Sequence, residues 1–214
     1  KGFEDGMVRP ENHITRAETA TMLYRLLTQQ RREQVFTTEN SFSDVTTDLW
    51  YNKAVSSMSN GGYIYGYNDG TFRGERNITR AEFVAMLVRF IGVNEKARAD
   101  FSDVAADYWA YQYIATATEA GWIQGYQDNT YRPNKAITRA EAMVIVNRVL
   151  DRGVSAKSKL GSFQKFSDNA PTAWYYWDVI EATNDHTYTG KRPNENWKSL
   201  KVDYKYNVEK YERP

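Results

Sequence analysis

One five-residue block occurs three times, and that recurrence constrains the fold more than any other feature of the chain. Ile14-Thr15-Arg16-Ala17-Glu18 returns as Ile78-Thr79-Arg80-Ala81-Glu82 and as Ile137-Thr138-Arg139-Ala140-Glu141, at offsets of 64 and 59 residues. Such self-similarity marks small units that cannot bury their apolar faces alone and must stack on one another. Ten residues before each Thr lies an Asp (Asp5, Asp69 and Asp128) within a Gly-aromatic-x-Asp turn that starts at Gly2, Gly66 and Gly125. A second block also recurs: Phe42-Ser43-Asp44 leads to Trp50, Phe101-Ser102-Asp103 to Trp109, and Phe166-Ser167-Asp168 to Trp174. The order along the chain is back half, whole repeat, whole repeat, front half. A chain that begins inside a module gives this order, and its opening Lys1-Gly2-Phe3-Glu4 reads that way. A closed assembly in which the last segment completes the first gives it too. We favour closure, because a lone half-repeat cannot bury its apolar face.

The Thr-Arg-Ala-Glu block is a capping box, with the Thr hydroxyl accepting from the N3 amide and the N3 Glu reaching back to the N-cap amide. Apolar residues then follow at helical spacing: Met22, Leu23, Leu26 and Leu27; Phe83, Met86, Leu87, Phe90 and Ile91; Ala142, Ile145, Val146, Val149 and Leu150. Three such stripes can satisfy one another as a three-helix core. The Trp block is read as the start of a second helix, with Trp50, Ala54, Val55 and Met58 matching Trp109, Tyr113, Ile114 and Ala117. Gly62 and Gly121 are suitable stops for these helices. The Asp-Gly and Asp-Asn dipeptides read as tight turns that close a very short hairpin.

The arginine directly after each N-cap is the most informative residue. A cation in the first helical turn opposes the macrodipole and costs a few tenths of a kcal/mol. Its presence at Arg16, Arg80 and Arg139 asks for a compensating role. Free helix-start amides, the dipole and a forked guanidinium together make a carboxylate or phosphate receptor. The competing reading is an internal salt bridge from each Arg to an Asp of a neighbouring Phe-Ser-Asp block.

Composition excludes several classes. Formal net charge is +1 with 26% charged residues, so no global field favours nucleic acid or membrane. Cysteine is absent, which removes disulfides, thiol nucleophiles and Cys-ligated zinc. No apolar run approaches the ~18 residues of a membrane span. No acid pair stands apart from the repeat pattern, which argues against an enzyme such as a glycoside hydrolase. Asn68-Asp69-Gly70 lacks the alternating acids and closing Glu of a calcium loop. His13 and His186 share no ligand spacing and are expected at the surface. No catalytic residue, cofactor or metal is assigned. Aromatics, at 14% with 16 Tyr and 6 Trp, suit contact with sugars.

These blocks resemble the S-layer homology family, whose repeats carry Phe-x-Asp-Val…Trp, Gly-Tyr-x-Asp-Gly-Thr-Phe-Arg-Pro and Ile-Thr-Arg-Ala-Glu. Here they read Phe42-Ser43-Asp44-Val45 with Trp50, Gly66 to Arg73, and Ile78 to Glu82. The resemblance runs from Gly2 to about Ala182. It implies a mainly α fold: a pseudo-three-fold spindle with a central three-helix bundle, peripheral helices, short turns or hairpins and inter-repeat grooves, acting as a monomer. It divides the chain into half-repeat 1–35, repeats 42–92 and 101–152, a closing half-repeat 163–190 and a charged tail 191–214.

The implied function is anchoring of a bacterial surface protein at the cell wall, through secondary wall polysaccharide bearing pyruvate ketals. Carried over by position, Arg16, Arg80 and Arg139 meet the ketal carboxylate. Trp50, Trp109 and Trp174 line the sugar, and Gly66, Asp69, Gly125 and Asp128, with Gly2 and Asp5, shape the grooves. At most three sites are expected. The pattern is broken by Met7-Val8 in place of Thr-Phe, by Gly74 in place of Pro, and by Asn129 and Tyr131 in place of Gly and Phe. The rival function is a structural or protein-binding module with no glycan ligand.

Overall fold

The computed structural model describes residues 2–3, 5–93, 97–154, 163–192 and 195–200. The chain forms two compact units, one made of residues up to Asn12 together with those from Thr138 onward, the other of His13–Ile137. Helices dominate the described residues. They are α1 (Arg16–Leu26), α2 (Gln29–Val35), α3 (Asn52–Asn60), α4 (Arg80–Ile91), α5 (Tyr111–Glu119), α6 (Arg139–Val149) and α7 (Tyr176–Thr183). The strands are β1 (His186–Thr189) and β2 (Asn196–Leu200), which pair antiparallel. The fold is mainly α.

In the His13–Ile137 unit, the capping boxes of α1 and α4 are complete: the Thr15 and Thr79 hydroxyls accept from the Glu18 and Glu82 amides, and those glutamates bond back to the N-cap amides. Each box contributes about 1 kcal/mol. Helix α1 packs on α3 and α4, α4 on α5, and α2 on α3. Leu23, Phe83, Met86 and Leu87 are buried, each contributing roughly 2 kcal/mol, whereas Leu26 and Ile91 at the helix ends emerge into solvent. Gly62 and Gly121 follow α3 and α5 in the left-handed conformation, as helix stops require.

The three segments that lead into the capping boxes lock together by a device that the sequence does not display. Ile14 N–H donates to the Ile137 carbonyl (3.3 Å), Ile78 N–H to Ile14 (3.0 Å) and Ile137 N–H to Ile78 (3.1 Å). The ring is closed and its three side chains are buried.

In the other unit, α6 starts with the same capping box at Thr138 and Glu141 and packs on α7. Val8, Ala140, Val144, Phe166, Tyr175 and Val179 share one core, so the first loop packs on α6 and α7. A second core of Val154, Tyr176, Ile180 and Trp197 seats the β1–β2 hairpin on α7. Part of the stretch read as a charged tail is therefore folded, because Trp197 is only 3% exposed. Residues 201–214 of that tail lie outside the described residues. His186, expected at the surface, is buried; His13 is exposed. Among the described residues, no helix is long and apolar enough to cross a membrane.

Candidate functional site

Each Gly-aromatic-x-Asp segment folds into the same tight loop. Tyr67 N–H donates to the Thr71 carbonyl (2.8 Å) and Gly70 N–H to Tyr67 (3.0 Å). Tyr126, Thr130 and Asn129 repeat this, as do Phe3, Met7 and Gly6. Gly6, Gly70 and Asn129 hold the positive φ; Asn serves at 129 because its short side chain tolerates the left-handed region. Gly66 and Gly125 answer a different demand. A Cβ there would lie 2.5 Å and 2.3 Å from the rings of Phe42 and Phe101, which cover the loops, and a Cβ at Gly2 would meet Phe166 at 2.4 Å.

The aspartates of the Phe-Ser-Asp blocks bind these loops rather than the arginines. Asp44 accepts from the Phe72 and Arg73 amides (both 2.7 Å), and Asp103 from Tyr131 and Arg132 (both 2.8 Å). Asp168 accepts from Val8 (3.1 Å) and Arg9 (2.6 Å). The arginine whose amide donates the second bond in each case, Arg73, Arg132 or Arg9, has a positive φ. Its side chain folds back over Tyr67, Tyr126 or Phe3 and pairs with Asp69, Asp128 or Asp5. Thr71 and Arg73 hold the Asp69 carboxyl down at about 2, and Thr130 and Arg132 do the same for Asp128. Sequence reading did not single out this second arginine set, although each follows its loop at a fixed distance.

Arg16 reaches across to the loop of the next repeat. Its Nε donates to the Phe72 carbonyl (2.8 Å) and its Nη2 to Tyr65 (3.1 Å), while its Nη1 lies 3.5 Å from Glu82. The guanidinium carbon stands 4.7 Å from both the Tyr67 and Phe72 rings. Glu82 also accepts from the Tyr67 hydroxyl and from Arg76. Burial raises the Glu82 carboxyl, but the Thr79 amide, the Tyr67 hydroxyl and both arginines outweigh it and leave the pKa lowered. Arg80 repeats the arrangement on Tyr131 (2.9 Å) and Gln124 (3.4 Å), with Tyr126 and Tyr131 as its rings. Arg139 donates to the Val8 carbonyl (3.1 Å) and lies over Phe3. Arg16 and Arg80 are 3% and 5% exposed, whereas Arg139 is half-buried.

The helix starts are not open anion receptors. Arg16 N–H donates to the Arg76 carbonyl and Ala17 N–H to Gly74; Arg80 and Ala81 donate to Lys135 and Pro133; Arg139 and Ala140 donate to Asn12 and Pro10. With the N-cap and N3 amides taken by the capping boxes, all four amides at each start are satisfied within the chain. The compensation for a cation at the positive helix end is therefore internal at Arg16 and Arg80: two carbonyl acceptors and two ring faces.

The tryptophans behave oppositely. Trp50, Trp109 and Trp174 lie two residues ahead of α3, α5 and α7, not on their buried faces. They are 60%, 54% and 67% exposed. Each leans on one tyrosine, Tyr51 at 5.2 Å, Tyr108 at 5.8 Å or Tyr175 at 5.4 Å, which fixes the indole while leaving most of it in water.

Residues 1–20, 41–84 and 100–143 match the family described as S-layer homology domain. The chain is 34% identical over 194 residues to a cellulosome-anchoring protein of Acetivibrio thermocellus, covering 88% of this chain and 42% of that one. It is 30% identical over 130 residues to the surface-layer 125 kDa protein of Lysinibacillus sphaericus, covering 61% and 11%. A third relative is an amylopullulanase of Thermoanaerobacterium thermosulfurigenes, 31% identical over 160 residues, covering 71% and 8%. The chain thus spans less than half the length of these relatives.

Proposed function

This chain belongs to the S-layer homology domain family, and on that premise we propose that it is a non-catalytic anchor holding a bacterial surface protein to the cell wall. Its ligand in this reading is a secondary wall polysaccharide made anionic by pyruvate ketals. The observation that carries the proposal is the repeated, largely exposed indole. Trp50, Trp109 and Trp174 each present more than half their surface to water, a large apolar area to leave unburied three times over. Flat aromatic faces beside cationic loops suit sugar rings that carry a negative charge. Three weak sites on one chain also gain by avidity, as an anchor needs and a catalyst does not.

In this proposal the tryptophans receive the sugar. Gly66, Asp69, Gly125 and Asp128, with Gly2 and Asp5, keep the loops in shape. Arg16 and Arg80 brace the loops from beneath and set the local positive charge, and half-buried Arg139 meets the carboxylate directly. The proposal includes closure of the three repeat equivalents, with the divisions given above, into a pseudo-three-fold monomer. The relatives named as a cellulosome-anchoring protein and as a surface-layer protein support the anchoring role and a location at the cell surface. That an amylopullulanase shares only a small part of its length with this chain supports a module separate from the catalysis.

The test is co-sedimentation with purified bacterial walls before and after the secondary polysaccharide is extracted. Retention on intact walls and loss on extracted walls is the expected result. Equal retention on both would favour the rival structural or protein-binding module.

A further inference from the structure

We propose that Glu181, His186 and Glu195 form a binding site for a divalent transition metal of the zinc class, at the point where the guanidinium of Arg152 now stands. The three residues are 6%, 6% and 2% exposed and come from α7, β1 and the position just before β2. Nothing in their sequence spacing announces a site. The fold brings them together, with one donor atom from each lying within 4.8 Å of the other two.

The surrounding bonds orient these donors inward. His186 Nδ1 lies 2.7 Å from the Asn184 carbonyl, which can only accept, so Nδ1 carries the proton and Nε2 faces the carboxylates. Glu181 Oε2 accepts from Trp197 Nε1 (3.0 Å), while Glu195 Oε2 accepts from Gly153 N–H (3.1 Å), a bond that stays when Arg152, whose Nε also donates to it (2.9 Å), gives way. The Trp197 ring stacks on the His186 imidazole at 3.8 Å. A histidine whose second nitrogen is tied to a carbonyl, facing carboxylates whose outer oxygens are tied, is the outer-shell arrangement of metal sites.

Arg152 Nη2 occupies the focus, 2.7 Å from His186 Nε2, 2.9 Å from Glu181 Oε1 and 3.0 Å from Glu195 Oε1. That nitrogen has two protons for three acceptors. His186 Nε2 and Glu195 Oε1 lie 2.9 Å apart, a contact that either a proton on Nε2 or a shared cation satisfies. A divalent ion in place of the guanidinium would bring one more positive charge to the two buried carboxyl groups. One imidazole nitrogen and two carboxylate oxygens suit zinc, which leaves a fourth position for water, and fall short of the six to eight oxygens that calcium takes.

Arg152 has somewhere to go. Its side chain is 23% exposed and lies 3.7 Å over the Tyr188 ring, itself 43% exposed, so it can swing outward along that face. An ion in its place would tie α7 to both strands of the hairpin.

The experiment titrates zinc chloride into the chelator-treated chain by calorimetry and follows thermal unfolding in parallel. One ion per chain and a raised unfolding temperature are expected. Arg152→Met should tighten binding, and Glu181→Gln, which keeps the side-chain volume, should weaken it about tenfold or more. Zinc X-ray absorption should report one imidazole among oxygen ligands. The proposal is overturned if the unaltered chain takes up no more zinc than the Glu181→Gln chain, or if calcium raises the unfolding temperature as much as zinc does. The unaltered chain alone decides this should Arg152→Met not fold.

Discussion

Arg16 and Arg139 occupy the same place in the same repeated block, yet Arg16 is buried and Arg139 is only half-buried. The difference traces to the loop that each one meets. Arg16 faces Thr71-Phe72, where the Phe72 ring and the Tyr67 ring enclose the guanidinium. Arg139 faces Met7-Val8, where the residue in the position of Phe72 is a valine, and its guanidinium lies 4.9 Å over the Phe3 ring. Arg80, with Tyr131 and Tyr126, behaves like Arg16. Val8 thus brings no ring to its arginine where Phe72 and Tyr131 each bring one.

The largest effect that sharpens this comparison is on stability. Arg16→Ala removes the donor from two carbonyls, one of them buried, and strips two ring faces, so a loss of about 3 kcal/mol is expected by urea unfolding. Arg139→Ala, at a residue less deeply buried than Arg16, should cost about 1 kcal/mol and should weaken glycan binding more than stability. Equal losses at the two positions would break the comparison.

A smaller effect separates brace from platform. Replacing Trp50, Trp109 or Trp174 by Ala should leave stability within roughly 0.5 kcal/mol, because each indole is more than half exposed. Each replacement should cost about 1 kcal/mol of glycan affinity, several-fold in Kd, measured by calorimetry. These exposed residues discriminate the anchor from the rival module more cleanly than the arginines do, since Arg16 and Arg80 destabilise the fold on either reading.

The smallest effect is electrostatic. The Thr71 hydroxyl, Arg73 and the Thr71 amide hold Asp69 at about 2 in the folded state, below the ~3.9 of an unfolded chain. A depressed carboxyl contributes stability that is complete above the unfolded value and fades as pH falls toward the folded one. The unfolding temperatures of the parent chain and Asp69→Asn should therefore differ at pH 5 and converge as pH falls through 4 toward 2. In the first loop Met7 offers an amide and no hydroxyl, and Arg9 is the main cause of the lowering at Asp5.

Local features were legible in the sequence, and distant partners were not. The capping boxes at Thr15, Thr79 and Thr138, the left-handed stops at Gly62 and Gly121 and the tight loops all depend on residues within a few positions of one another. Burial of Arg16 depends on Phe72, 56 residues away, and the occupied helix-start amides depend on carbonyls that no spacing rule points to. The tryptophans stand two residues ahead of the helices, whose starts no capping side chain marks in the sequence. The hairpin is not legible because strands of four and five residues give too short an alternation, with only His186 and Trp197 buried in them.

The central claim is that a negatively charged sugar docks on this chain. Calorimetric titration with wall polysaccharide, before and after mild acid hydrolysis of its pyruvate ketals, tests it most directly. The account predicts saturable binding to the ketal-bearing glycan and a large loss once the carboxylates are gone; unchanged affinity after hydrolysis would contradict it.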